Sequence, residues 1–371
     1  MSRLVLHVLP LDLARGAQRY ARELRGRLDS AQVRHRILTI FASDCHELGA
    51  DTALDVPRGF AQRFGFEPRA ALALASELRR AQPSLVVAHG SEPLKYLAAV
   101  SRRTPPVVYY KIGVAHASAL RKGRRFVHAA LLRRAVRIAG VSQDCLDEAE
   151  QQFGAKTDRL VLIPNGRDEK QFYPRPQPNE ARTPHLIFVG HLTTSKRPER
   201  FIELVRRLRQ QGVAFSASMV GDGTLHASLA ASASAAQVEL VGHSDDVAGR
   251  LRGADVLAFT SVPDGEGMPG VFIEAGLCGL PVVSTQVPGA RTVIVDAESG
   301  FLVGVNDLDA LVAKTRLLLE NSALRQRFGA AARARCVALF TLEASLSRWQ
   351  VLFESLFEEA AGVRAAGVDP A

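Results

Sequence analysis

The stretch DGEGMPGVFIEAGLCGLPVVST, residues 264–285, joins three kinds of local structure. Gly267, Pro269 and Gly270 break regular structure, a short helical segment follows, and Val282 and Val283 after Pro281 read as a buried strand. A loop that feeds a helix leaves backbone N–H groups unpaired at the helix start, with the positive end of the helix dipole behind them. Such a terminus suits a phosphate, and here the N–H groups are those of Gly270 and Val271. Glu266 and Glu274 bracket seven residues on either side of that start. An ionised carboxylate only accepts hydrogen bonds, so the two suit sugar hydroxyls. The spacing alone also fits two solvated carboxylates flanking a turn.

Working outward, 371 residues suffice for two domains, and 47% hydrophobic residues supply full cores. Cys45, Cys145, Cys278 and Cys336 are scattered, with no CxxC and no histidine at zinc spacing, which argues against a metal site or disulfide framework and for a reducing compartment. The opening MSRLVLHVLP has an apolar run too short for a signal peptide and reads as a first strand, and no run approaches the ~20 apolar residues of a membrane span. Charge is uneven: residues 1–183 hold 30 Lys plus Arg against 18 Asp plus Glu, a balance of +12, whereas the whole chain carries +9. The basic first half points to an anionic partner.

Strands and helices alternate along the chain, which implies parallel sheets covered by helices. Strand Leu4–Leu9, the turn at Gly16 and a helix to about Leu28 make a generic nucleotide-binding start without the full GxGxxG fingerprint. Strands at Leu85–His89 and Pro106–Lys111 aim their following loops at the carboxyl edge of the sheet, where such folds bind ligands. Arg121–Arg137, RKGRRFVHAALLRRAVR, holds seven basic residues and no acid, with Phe126, Val127, Ala130, Leu131 and Ala135 as an apolar stripe. It reads as one helix, either an ordinary domain helix with a solvated basic face or one lying against anionic lipid. No nucleic-acid recognition module accompanies it. The prolines at 174, 176, 178 and 184 mark a linker. Beyond it, strand ends at Gly190-His191, Gly221 and Gly242 recur, and Lys196-Arg197 opens a helix. Asp307-Leu308-Asp309 has an acid-x-acid spacing but reads as a helix cap with first-turn acids.

Gly-Met-Pro-Gly before Glu274, Gly-Leu-Pro-Val-Val after it, and the strand-end order resemble the retaining, nucleotide-sugar-dependent glycosyltransferases of the two-Rossmann-domain (GT-B) type, family 4. The resemblance is firm from Ile138 to Leu302 and looser before that. It implies an α/β chain of two Rossmann-like domains facing across a cleft: residues 1–175 for the acceptor, a linker at 176–184, and residues 185–340 for the donor. A helix at 341–360 crosses back to the first domain, and 361–371 is a tail. It further implies transfer of a hexose from a UDP or GDP sugar to an acceptor hydroxyl of a glycan or lipid-linked glycan, without a metal or other cofactor. Lys196, Glu266 and His116 are then the expected catalytic groups. Gly16, Gly190, His191, Arg197, Gly221, Gly242, Gly267, Gly270, Val271 and Glu274 are the expected donor-binding groups. Glu274 is expected on the ribose and Glu266 on the sugar. The chain departs from the family at two places. His191 stands where an arginine is usual, and arginine is always charged whereas histidine is mostly neutral near pH 7. Ile112 stands where a histidine is usual, with His116 four residues on.

The rival readings are an epimerase of the same fold, a non-catalytic nucleotide-sugar binder, and a basic membrane-interaction module on this scaffold. A cytoplasmic protein, peripheral on the inner face of a membrane through Arg121–Arg137, is the expected setting, with no nucleic-acid partner.

Overall fold

A computed structural model describes residues 2–13, 16–44, 47–59, 65–100, 105–115, 122–176, 182–264 and 266–365. The chain divides into two compact units, Met1–Pro164 with Leu346–Ala371, and Asn165–Ser345.

The first unit runs β1 (Arg3–Leu9), α1 (Gly16–Leu28), β2 (Val33–Phe41), β3 (Thr52–Val56), α2 (Pro68–Ala81), β4 (Leu85–His89), α3 (Ser91–Ala99), β5 (Val107–Lys111), α4 (Lys122–Leu132), β6 (Arg137–Gly140), α5 (Gln143–Gln151) and β7 (Leu160–Leu162). Its parallel sheet has the order β3-β2-β1-β4-β5-β6-β7, which reverses direction between β1 and β4. β4 and β5 are buried along their whole length, as a central parallel strand covered on both faces must be.

The second unit runs β8 (His185–Val189), α6 (Pro198–Gln210), β9 (Ser216–Val220), α7 (His226–Ala235), β10 (Glu239–Gly242), α8 (Val247–Gly253), β11 (Val256–Phe259), α9 (Gly270–Leu277), β12 (Val282–Thr285), α10 (Ala290–Val293), β13 (Gly300–Val303), α11 (Leu308–Glu320) and α12 (Ser322–Leu339). Its order is β10-β9-β8-β11-β12-β13, reversing between β8 and β11. Phe188, Phe201, Leu204, Met219, Val256 and Phe328 belong to its core. Asp307 caps α11 by accepting from Ala310 N–H, as the cap reading of that acid-x-acid triplet expects.

The last helix, α13 (Leu342–Ala365), starts in the second unit, and from Leu346 onward it belongs to the first. Trp349 is fully buried and donates from Nε1 to the Tyr20 hydroxyl at 2.9 Å, and its ring meets Tyr110 edge-on. Leu352, Phe353 and Leu356 are buried on the same helix.

Three expectations about element limits change. The division falls between Pro164 and Asn165, ahead of the proline-rich stretch. The reason is a bridge: Arg167 pairs with Thr341, its N–H donating to Phe340 O and its carbonyl accepting from Leu342 N–H. α13 runs through Ala365, past the 360 where a tail was expected. The basic stretch Arg121–Arg137 is not one helix. α4 stops at Leu132, and Arg137 already opens β6, whose register with β5 (Arg137 beside Val108) claims this segment for the sheet. Phe126 and Val127 are 75% and 58% exposed, while Ala135 is buried beyond the helix, so the five residues form no single stripe.

Inside the first sheet, three histidines form a hydrogen-bonded chain. His7 on β1 pairs across from Ile37 and Val87, which places it diagonally between His35 and His89. His7 Nδ1 lies 2.9 Å from His89 Nε2, and His7 Nε2 lies 3.0 Å from His35 Nδ1. Among the described residues His89 Nδ1 is buried without a partner. An orphaned N–H is costlier to bury than a spare lone pair, so His89 donates to His7 and His7 donates to His35. Burial holds all three below the ordinary histidine range, His35 at about 4 and His89 at about 3.

Candidate active site

Each unit reverses its strand order once, and loops beyond the carboxyl ends of the two strands at that point bound a crevice. In the second unit these are the loops after β8 and β11, and they carry Lys196 and Glu266. The loops are stitched together. Thr260 Oγ1 donates to the carbonyls of Lys196 and Arg197, both at 2.9 Å, and Val262 N–H donates to Ser195 O at 2.9 Å. Lys196 Nζ donates to Glu266 Oε1, and Ser261 Oγ donates to the same oxygen at 3.0 Å. The Lys196 ammonium also sits 5.0 Å from the centre of the Phe259 ring.

α9 follows directly. It buries Phe272, Ile273, Ala275, Gly276 and Leu277, with Phe272 edge-on to Phe259 at 4.8 Å. A β-carbon on Gly276 would lie 2.4 Å from Cys336 Sγ, so only glycine lets α9 come this close to α12. Burial of one side turns Gly270, Val271 and Glu274 outward, at the i, i+1 and i+4 positions of one face. Pro269 stands at the cap position with no side-chain hydrogen bond to the helix, and the first turn holds no acid. The start of α9 is therefore an uncapped positive dipole end. Gly267 is buried beside it, and the loop is braced by Gly289, whose φ of +80° and approach to Gly267 O exclude any side chain.

Glu274 does not stand alone. Arg167 Nε donates to Glu274 Oε1 at 2.7 Å, and Arg167 Nη1 to Gly166 O at 3.1 Å. Sequence reading missed Arg167, 107 residues away in the chain, and no local signal near Glu274 points to it.

The strand-end glycines lie side by side. Gly190 N–H donates to Val220 O, and Gly221 N–H donates to Gly242 O. Gly221 has φ +140°, and a β-carbon there would fall 1.9 Å from Gly190 O. His191 is exposed on the same edge. Arg197 adopts φ +47° and sends its guanidinium to Asn306 Oδ1 at 3.1 Å. That bond orients it toward the loop after β13.

In the first unit, Gly16 opens α1 and is exposed, with no described residue close to where a β-carbon would stand. His116 lies outside the described residues. Lys111 at the end of β5 is buried and donates to Glu148 Oε2 at 2.5 Å and to Gly113 O at 2.9 Å, while Ala115 N–H donates to Glu148 Oε1 at 2.9 Å. This pair pins residues 112–115, where a family histidine is usual. Glu148 was not singled out from the sequence. Among the described residues no group of His, Cys, Asp or Glu is arranged to hold a metal ion, and no helix is long and apolar enough to cross a membrane.

Comparison with known proteins agrees with this architecture. Residues 169–335 match the family described as glycosyl transferases group 1, and residues 14–171 match glycosyltransferase family 4. A protein of Escherichia coli K12 named as a colanic acid biosynthesis glycosyltransferase, WcaL, is 34% identical over 174 residues, covering 44% of this chain and 43% of that one. The chain thus spans under half the length of that relative. The UDP-Gal:alpha-D-GlcNAc-diphosphoundecaprenol alpha-1,3-galactosyltransferase of Escherichia coli is 25% identical over 264 residues, 65% of this chain and 67% of that one. Among solved structures, Anabaena Alr3699/HepE in complex with UDP and glucose superposes with a TM-score of 0.77 at 18% identity, over 95% of this chain and all of that one. Sucrose-phosphate synthase of Thermosynechococcus elongatus superposes at 0.78 with 21% identity, over 96% of this chain and all of that one. These likenesses assign the fold, two parallel Rossmann-like α/β units of the GT-B class. With both family matches, which together run from residue 14 to residue 335, they make the chain a member of the group 1 GT-B glycosyltransferases.

Proposed function

We propose that this chain is a retaining hexosyltransferase that uses a UDP or GDP sugar and acts on the hydroxyl of a glycan or lipid-linked glycan. The observation that carries the reading is the set at the switch point of the second unit. There the uncapped start of α9 lies between two carboxylates, Glu266 and Glu274, each held by a cation. The diphosphate binds at the N–H groups of Gly270 and Val271 with Lys196 beside it, Glu274 accepts from the ribose hydroxyls and Glu266 from the sugar. In the reaction the bond between the anomeric carbon and the diphosphate oxygen breaks, and a bond to the acceptor oxygen forms on the same face. The acceptor proton passes to the departing phosphate oxygen. Charge grows on that oxygen, so fixed cations and amides there lower the barrier, and the step is metal-independent.

A lipid-linked acceptor is supported by the galactosyltransferase relative, whose name specifies a diphosphoundecaprenol substrate. It is also supported by α4, where Phe126 and Val127 are exposed beside exposed Arg124 and Arg125. Apolar side chains beside arginines favour an anionic bilayer surface, which would make the protein peripheral on the cytoplasmic leaflet.

A thermal-shift panel of UDP, GDP, ADP, TDP and their sugar conjugates, with and without EDTA, tests the donor. A ligand at a hundred times its Kd adds about 2.7 kcal/mol. One nucleotide raising Tm regardless of EDTA supports the reading, and no shift from any rejects it. NMR of the transferred sugar reads retention directly. Sedimentation with phosphatidylglycerol vesicles should capture the wild type and lose Phe126→Glu, and equal capture of both would reject the membrane role of α4.

A further inference from the structure

The guanidinium of Arg167 is only partly used. Its Nε donates to Glu274 and its Nη1 to Gly166 O, whereas Nη2 makes no hydrogen bond among the described residues. Nη2 lies 1.9 Å from the point where a β-carbon on Gly270 would stand, so the guanidinium rests on the first residue of α9 in space that only glycine leaves. The side chain is 26% exposed, so Nη2 is within reach of solvent and of a ligand. Its backbone is fixed on both sides, by Phe340 O at 3.1 Å and by Leu342 N–H at 2.8 Å. A β-carbon on Gly166 would strike Leu342 Cα and Thr341 O at 2.5 and 2.6 Å, so this approach too depends on glycine. Arg167 is therefore delivered to α9 by a rigid crossing of two chain segments.

We infer that Arg167 is a donor-binding residue, the second cation for the diphosphate, in place of the arginine that position 191 does not supply. This rests on the proposed nucleotide-sugar site. Arginine has five donors in a fixed fork, so it serves two acceptors at once. Nε keeps the Glu274 carboxylate oriented while Nη2 donates to a phosphate oxygen at the start of α9. A lysine at 167 would carry the charge without spanning both. Lys196, paired with Glu266 in the loop that leads into the same helix, is the other cation of the site. His191 is exposed and need not contribute.

Isothermal titration of UDP, GDP and ADP and of their nucleosides into wild type, Arg167→Met, Arg167→Lys and Gly270→Ala tests this. Losing one charge-assisted hydrogen bond lowers affinity about 10- to 100-fold. The expected result is a diphosphate loss in Arg167→Met about 10-fold or more beyond the nucleoside loss, which reads only the freed Glu274 carboxylate, and a smaller diphosphate loss in Arg167→Lys. Gly270→Ala retains both charged groups but places a methyl where Nη2 rests. It meets only the flexible end of a side chain, so the protein folds and the diphosphate loss recurs. Unchanged diphosphate affinity in Arg167→Met and Gly270→Ala, or an equal loss for the nucleoside, would overturn the role of Arg167 while leaving the transferase reading intact. Wild type binding none of the three diphosphates would overturn that reading and Arg167 with it.

Discussion

Acidification should loosen the first unit well above the pH at which carboxylates titrate. His7, His35 and His89 are buried and linked, and burial lowers the pKa of each, His35 to about 4 and His89 to about 3. Asp29, whose Oδ1 accepts from His35 N–H, acts in the opposite sense on His35 and is outweighed. In the unfolded chain the same groups titrate near 6.5. Below that value the unfolded chain takes up protons that the folded protein refuses, so stability falls as pH falls. The loss continues until the folded groups themselves protonate, near pH 4 and 3. Between pH 6.5 and 5 the linkage relation gives about 1.6 kcal/mol per histidine, about 3 kcal/mol for His35 and His89 together, with His7 adding in the same direction. For a unit of this size that is a fall in Tm of about 6–12 °C. The assay is calorimetric melting at half-unit steps from pH 7.5 to 5, for wild type and His89→Gln. A glutamine amide reproduces the Nε2–H donated to His7 but does not titrate. The variant should lose about 1.6 kcal/mol of the pH dependence. A Tm that stays flat over this range, or an equal slope in His89→Gln, refutes the argument from burial.

Other perturbations read other parts of the molecule. Glu274→Ala removes an acceptor and frees Arg167, and donor affinity by calorimetry should fall about 10- to 100-fold; wild-type affinity would remove Glu274 from the pocket. Lys196→Ala should lower kcat by about 100-fold or more and raise KM by less, because the charge added to the already anionic diphosphate as the bond breaks strengthens this contact in the transition state; an unchanged rate would mean that the cation comes from elsewhere. Gly221→Ala sets a β-carbon against Gly190 O in a backbone region that side chains avoid. It should cost more than about 2 kcal/mol in urea unfolding, and a neutral result would show the strand ends to be plastic. Trp349→Ala empties a fully buried site and removes the hydrogen bond it gives Tyr20, with an expected loss of about 3–5 kcal/mol in the same assay.

The elements that sequence reading placed well are those whose signal is local. β4, β5 and β8 are short apolar runs ending at glycine or a polar turn, β9 ends at Gly221, and α9 is announced by Pro269 and Gly270. The site emerged in outline for the same reason, since Glu266, Gly270 and Glu274 sit on one loop and one helix face. Arg167 did not, because its meeting with Glu274 depends on a bridge to Thr341 that only the folded chain creates. Periodicity misled at α4. It describes which residues share a helix face, but not whether that face meets protein or solvent, and Phe126 and Val127 face solvent. Nor could it find the end of α4, which Arg137 sets by joining β5. The histidine chain was equally hidden, because the three side chains meet only through the register of neighbouring strands.

The path of α13 has a consequence for how the protein is made. The second unit is one uninterrupted segment, Asn165–Ser345, whereas the first is split, its last piece beginning at Leu346. Trp349, Leu352, Phe353 and Leu356 belong to that piece and fill buried positions in a unit that began at the other end of the chain. During synthesis the amino-terminal unit must therefore wait with part of its interior open. The second unit, translated later, can close first, which reverses the usual amino-to-carboxyl order of domain folding. A ribosome stalled just after Ser345 has been released from the exit tunnel should hold a protease-resistant second unit and a first unit that is still cleavable.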